Sequence, residues 1–303
     1  MEKETLKRQI RELAQKRKAV ILAHTYQPAE IQEIADFVGD SYGLSVKAAQ
    51  LEAAEVIVFC GVRFMAETAA ILNPAKTVLL PDETAGCPMA EMISAEELRQ
   101  FKTRHPHAPV VCYVNSTAEV KAECDVCCTS SNAEKVIRSL AKEKDILFVP
   151  DQYLGKTLES RLKRGLILWD GCCPIHQGLT PEMLRNARIA HPKAEVMVHP
   201  ECRPETQAEA DHVLSTGQML DLVKTSSCTE FIVGTECGIL AALRKACPQK
   251  QFYPVEPALV CPDMKKCTLE KVLSALKILQ PRVTVPEEIA IKARRSIKAM
   301  LSL

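Results

Sequence analysis

Three cysteines, each followed by proline, recur at nearly equal intervals: Cys87-Pro88, Cys173-Pro174 and Cys261-Pro262, spaced 86 and 88 residues apart. Thiolates are the usual ligands of iron-sulfur clusters, and three of them from equivalent loops suit a 4Fe-4S cubane with one iron left open. An open iron is a Lewis acid that binds a substrate hydroxyl or carboxylate and helps expel water. A single buried cysteine is more often a small core hydrophobe; the recurrence of the Cys-Pro pair is what favours a cluster. Cys60, Cys112, Cys228, Cys237 and Cys247 lie in apolar or helical surroundings and read as core. Cys124, Cys127 and Cys128 have C-x-x-C-C spacing but no second pair to complete a tetrahedral zinc site. Cys172 lacks the following proline, and Cys202 and Cys267 offer at most a redox-sensitive thiol.

A second set of residues shares the period. Three strand ends carry His24-Thr25-Tyr26, Tyr113-Val114-Asn115 and His199-Pro200-Glu201, offset by 89 and 86 residues. Residues i and i+2 of a strand point the same way, so His24 with Tyr26, Tyr113 with Asn115, and His199 with Glu201 face one cavity. Carboxylate, imidazole and phenol together move protons during enolisation, imine formation and dehydration. Taken singly, each pair would more often be structural. His176, three residues past Cys173, is a further polar candidate. Hydroxyl-bearing turns follow at the same offsets, at Ser41, Ser130 and Thr216, the last preceded by Ser215. Each reads as a helix N-cap, where free amides and the helix dipole favour anions. Three such ends facing one centre suit one phosphate and two carboxylates.

The elements that position these groups alternate strand and helix. Apolar runs such as AVILA, EVIVFC, PVVCYV, ILFV, EVMV and EFIV have the character of strands buried on both faces, each followed by a stretch of helical periodicity. Each copy of the repeat contains a first strand, a hydroxyl turn, a second strand, a helix, a third strand and the Cys-Pro loop. The fold predicted is therefore α/β: three homologous three-layer αβα domains with pseudo-threefold symmetry around a central site, at about residues 1–86, 87–172 and 173–303. In such sheets ligands bind beyond the carboxyl ends of the strands. The last segment, opened by Pro286, reads as a helix that closes back over the first domain.

The 39 basic and 38 acidic residues nearly cancel and form no long run of one sign. That argues against nucleic acid or a membrane surface as a partner and in favour of small molecules. The charged amphipathic amino terminus has no apolar export region, and no run of about 20 apolar residues occurs. A cytoplasmic protein with reduced thiols is the expectation.

Along almost the whole chain, the segments AHTYQ, GDS with Leu44-Ser45, CGVRFMAETA, YVNSTAEVKA, TSSNA, FVPDQYLG, WDGCCPIH, VHPEC, STGQM, GTECG and CPDMKKCTLEK resemble those of the quinolinate synthetase A family of de novo NAD synthesis. The resemblance implies a triplicated αβα fold and a 4Fe-4S cluster on Cys87, Cys173 and Cys261. It also implies condensation of iminoaspartate with dihydroxyacetone phosphate to quinolinate, phosphate and two waters. An L-aspartate oxidase or dehydrogenase would supply the imine. By the same carry-over, Tyr26 and His24 handle the triose carbonyl, Glu201 is the general base beside His199, and Tyr113, Asn115 and His176 orient the intermediate. Ser41 and Ser130 match phosphate or carboxylate positions, and Ser215 and Thr216 match the loop for the dicarboxylic acid. Tyr42 and Asp263 depart from the family's usual leucine and asparagine, and Cys267 lies too far from Cys261 for the extra C-x-x-C redox pair that some members carry. Two rivals remain from the residues alone: another iron-sulfur hydro-lyase, which needs no phosphate site, and a non-catalytic iron-sulfur redox sensor, which needs no inward acid-base set.

Overall fold

Residues 2–303 are described by a computed structural model. After α1 (Glu2–Lys16), the first unit runs β1 (Ala19–His24), α2 (Ala29–Ile34), β2 (Phe37–Gly39), α3 (Ser41–Ala49), β3 (Val56–Cys60), α4 (Arg63–Leu72) and β4 (Thr77–Leu79). Helix α5 (Ala95–Thr103) leads into β5 (Val110–Tyr113), α6 (Ala118–Ala122), β6 (Val126–Cys128), α7 (Ala133–Ser139), β7 (Leu147–Val149), α8 (Gln152–Leu162) and β8 (Ile167–Leu168). Helices α9 (Pro174–Gln177) and α10 (Pro181–Ala190) precede β9 (Glu195–Val198), α11 (Pro204–Gln207), β10 (His212–Val213), α12 (Thr216–Thr225), β11 (Glu230–Gly234), α13 (Ile239–Ala246) and β12 (Gln251–Pro254). The chain closes with α14 (Leu269–Ile278) and α15 (Glu287–Leu301).

The strand orders are β2-β1-β3-β4, β6-β5-β7-β8 and β10-β9-β11-β12, the same topology three times, and every pairing is parallel. The central strands β3 and β7 are buried along their whole length, which is why they read as continuous apolar runs. This is the triplicated αβα arrangement that the repeat implies.

Each sheet also has an edge strand absent from the sequence reading: β2, β6 and β10, of two or three residues. They are too short to show a period. Each is entered through an aspartate bonded twice to the first strand. Asp36 accepts from Ile21 N, Asp125 from Val110 N and Asp211 from Val196 N, all at 2.7 Å, while each aspartate amide donates back to the carbonyl of the same partner.

The largest apolar core runs through all three units, from Leu22 and Phe59 through Val111 and Phe148 to Met197 and Phe231. Helix α15 packs against α6 and β6 of the second unit as well as α4 of the first. Arg294 Nε donates to Ile71 O at 2.7 Å, and Ser296 Oγ to Lys121 O at 2.8 Å. The helix thus bridges two units, where the sequence reading places it over the first alone; α14, with α1 and β3, covers the first unit's own outer face. No helix among the described residues is long and apolar enough to cross a membrane.

Candidate active site

The carboxyl ends of the three sheets meet at a cavity of about 250 Å³. Its lining includes His24, Tyr26, Ser41, Cys87, Tyr113, Asn115, Ser130, Cys173, His176, His199, Glu201, Thr216 and Cys261, so every residue singled out above reaches it except Ser215.

The three cysteines arrive in one local structure repeated three times. Each precedes a single helical turn: Pro88–Glu91, Pro174–Gln177 and Asp263–Lys265. The proline fits because the first turn needs no amide donor there. Each sulfur accepts the backbone N–H three residues on, from Ala90, His176 and Met264. Each loop is also tethered two residues before its cysteine, where Ala85 O, Gly171 O and Leu259 O accept from Arg63 N, Gln152 N and Cys237 N. Burial pushes Cys87 up to about 12, and raises Cys261 and, with the nearby Glu201 charge, Cys173. The sulfurs are thus aimed and bonded, and they need a cation to hold them as thiolates.

That donor set fits a cluster. The three sulfurs do not gather within 4.8 Å of one another; among the described residues only Cys173, His176 and Glu201 offer ligand atoms that close. In that trio His176 Nδ1 lies 2.7 Å from Glu201 Oε2 and 3.1 Å from Cys173 Sγ. Those are hydrogen-bond lengths, so the imidazole proton occupies the place of a single ion.

The acid-base groups form one connected line. Tyr113 Oη donates to Glu201 Oε1 at 2.5 Å. His176 Nε2 is 2.7 Å from Thr235 Oγ1, which is 2.6 Å from Tyr26 Oη. With Glu201 ionised, one proton arrangement satisfies every link: Tyr26 donates to Thr235, Thr235 to His176 Nε2, and His176 Nδ1 to Glu201. Burial disfavours the Glu201 charge, but the His199 and His176 imidazoles and the bonds from His176 and Tyr113 hold its carboxyl well below the usual range. Burial, then the Glu201 charge, pushes both phenols well above their ordinary value, so they rest protonated.

His24 and His199 differ from His176. Each Nδ1 accepts a backbone amide two residues on, from Tyr26 N at 3.1 Å and Glu201 N at 3.3 Å. That leaves the hydrogen on Nε2. Burial, reinforced at His24 by Lys265, lowers both to about 3 against the pull of Glu201, so both are neutral donors at neutral pH. Asn115 Oδ1 is buried, has no hydrogen-bond partner among the described residues and lines the same cavity, an acceptor open to a donor.

At the far wall the caps differ from the sequence expectation. The N-caps are Asp40 for α3, Asn132 for α7 and Ser215 for α12, not Ser41, Ser130 and Thr216. Asp40 Oδ1 accepts Gly43 N at 2.7 Å, and Ser215 forms a reciprocal capping box with Gln218. Ser215 misses the cavity and Thr216, one residue later, faces it, whereas in the first unit both the cap Asp40 and Ser41 line it. Ser130 instead bonds to the Tyr113 phenol. Ser131 Oγ donates to Asp40 Oδ2 at 2.6 Å, joining the first two units.

Sequence reasoning missed Thr235, Glu236 and Asp151. All three follow the second long strand of a unit, and extending the strand-end argument from the first strands to these would have found them. Asp151, fully buried, caps α8, and burial, then the Glu201 charge, raises its carboxyl well above the ordinary value. Cys60 and Cys267 lie in contact in the buried core on the first unit's outer face, and the unpaired Cys112 thiol neighbours those of Cys124 and Cys127 inside the second unit.

The model of the family described as quinolinate synthetase A protein matches residues 8–302. A quinolinate synthase of Dehalococcoides mccartyi is 56% identical over 301 residues, 99% of each chain. Those of Methanoregula boonei and a Geobacter species are 53% and 51% identical, over at least 98% of each chain. With its triplicated fold and a full-length match, the chain belongs to the quinolinate synthetase A protein family.

Proposed function

We propose that the chain condenses iminoaspartate with dihydroxyacetone phosphate to form quinolinate, phosphate and two waters, as an enzyme of NAD biosynthesis. The observation that carries this reading is the convergence of three repeat-equivalent cysteines, an unbroken Tyr26–Thr235–His176–Glu201 proton line and helix N-terminal amides on one cavity. Cys87, Cys173 and Cys261 would hold a 4Fe-4S cluster. When bound, its open iron supplies Lewis-acid assistance to dehydration.

The chain's own residues bind, orient and move protons. The neutral His24 and His199 present Nε2–H donors to carbonyl or carboxylate oxygens. Asn115 Oδ1 accepts from the imine or a hydroxyl. The Ser41 and Thr216 hydroxyls, with the amides of α3 and α12, hold the anionic ends. Tyr26, kept protonated, can give its proton to a departing hydroxyl, and the strongly basic phenolate left behind takes the next substrate proton, while Thr235, His176 and the ionised Glu201 hold the phenol in place. Tyr113, bonded to the other Glu201 oxygen, is the second phenol in reach.

The fourteen cysteines are all unpaired, which suits a reducing cytoplasm. We place the chain there, fed with unstable imine by an L-aspartate oxidase or dehydrogenase. The test is quinolinate formation by anaerobically prepared protein holding about four irons. Product that vanishes, with the iron, when Cys87, Cys173 or Cys261 becomes alanine supports the reading. A loaded protein that makes no quinolinate but dehydrates a hydroxy acid moves the hydro-lyase to the front.

A further inference from the structure

One buried carboxylate at the cavity takes no part in the proton line. Glu236 is 1% exposed. Its Oε1 accepts the Cys261 amide at 3.2 Å and lies 2.8 Å from Lys265 Nζ, and its Oε2 accepts Gly238 N at 2.8 Å. Lys265 Nζ donates in turn to the Tyr26 carbonyl. Beside it Gln27 Nε2 donates to Met264 O at 2.7 Å. Two polar links therefore join the loop of one cysteine to the strand end bearing Tyr26. The junction is tight: a Cβ on Gly238 would stand 2.4 Å from Tyr26 O and 2.7 Å from Lys265 Nζ. The same loop reaches the first cysteine's loop, where Asp263 Oδ1 accepts Gly86 N at 3.2 Å and Lys266 Nζ donates to Thr84 O at 2.6 Å.

The repeat shows that this arrangement is local to the third loop. In the second unit the matching Asp151 accepts Leu154 N and, among the described residues, has no cationic partner, and in the first the matching position is the apolar Val62. Buried ion pairs add little net stability compared with apolar residues of similar size. An ion pair that touches a cysteine loop on one side and the Tyr26 backbone on the other does more for geometry than for folding energy.

We propose that Glu236 and Lys265 are positioning residues that fix the Cys261 loop relative to Tyr26, and so the place at which Cys261 would hold a cluster beside the phenol. This rests on the function proposed above, and the first readout is independent of it. In cluster-free protein, iodoacetamide labelling of individual cysteines is followed by mass spectrometry. Lys265→Met and Glu236→Gln each speed labelling of Cys261 about tenfold, the equivalent of ~1.4 kcal/mol of lost loop ordering. Cys173 keeps the parent rate, and Lys265→Arg restores Cys261 to it. The double variant, with no uncompensated charge, falls between parent and single variants. In loaded enzyme the single variants lower kcat with KM little changed, since the helix N-termini that hold the anions are untouched. Parent-like labelling of Cys261 in both single variants overturns the proposal, as does equal acceleration of Cys173, which would mark general loosening. If the parent makes no quinolinate while the labelling pattern holds, the function fails and the positioning role stands.

Discussion

Thr235 owes its importance to one oxygen. Its hydroxyl is the sole link between Tyr26 and His176 in the proton line, 2.6 Å from one and 2.7 Å from the other. Valine has nearly the same shape without that oxygen. Thr235→Val is expected to lower kcat by about 100-fold, the low end for losing a proton-transfer group, with iron content and KM near the parent's. An unchanged kcat would show that Tyr26 exchanges its proton elsewhere. The neutral histidines set a pH dependence of stability. His24 and His199 titrate near 3 in the fold against 6.5 in the open chain, so below pH 6.5 only the unfolded state takes up their protons. Their stabilising share is complete above pH 6.5 and declines as pH falls towards 3, by up to about 1.4 kcal/mol per pH unit for each. Urea unfolding of the cluster-free protein at pH 7.5 and 5.5 should show the loss, and His24→Asn should reduce its slope. A slope unaffected by that substitution would mean His24 is charged in the fold.

At the level of elements, the sequence is most legible where the repeat speaks three times. His24, Tyr113 and His199 stand at the ends of first strands at near-equal offsets, and the Cys-Pro loops recur at nearly the same period, so both the triplicated fold and the central placement of these residues could be read before any coordinate. What escaped is what has no period. The edge strands β2, β6 and β10 exist because an aspartate bonds twice to the neighbouring strand, a long-range pairing that leaves only a lone Asp in the sequence. The caps were misplaced by one or two residues because Asp40-Ser41 and Ser215-Thr216 offer two adjacent residues able to cap. In both pairs the earlier residue is the cap. Thr235 and Glu236 sit at the ends of second strands, where the three units differ (Gly61-Val62, Pro150-Asp151, Thr235-Glu236), and a search for equal residues passes over unequal ones.

Across the whole molecule the units are stapled by one further equivalent position, occupied by Gln32, Lys121 and Gln207. Gln32 Nε2 donates to Thr25 O and Gln27 O of its own loop and crosses to Gly238 O of the third unit, each at 2.9 Å. Gln207 Nε2 donates to Pro200 O and Cys202 O, and the amide's oxygen accepts from Thr157 of the second unit. Lys121 takes this place in the second unit. It is fully buried, donates to Ser116 O at 2.7 Å and Phe64 O of the first unit at 3.4 Å, and lies 5.2 Å from the Phe64 ring centre. The two glutamines show that an uncharged donor suffices at this junction. Lys121→Gln is therefore expected to fold with a stability close to the parent's. Lys121→Met has similar length but leaves the Ser116 and Phe64 carbonyls buried without this donor, at a cost of about 1–3 kcal/mol. The gap between the two variants, read from urea midpoints, isolates the hydrogen bonds from the charge. Because Ser116 Oγ in turn donates to Tyr113 O at 2.9 Å, the methionine variant should also raise KM, while the glutamine variant keeps it. If methionine is tolerated as well as glutamine, the units are held by the apolar core alone and the repeated position has no stapling role.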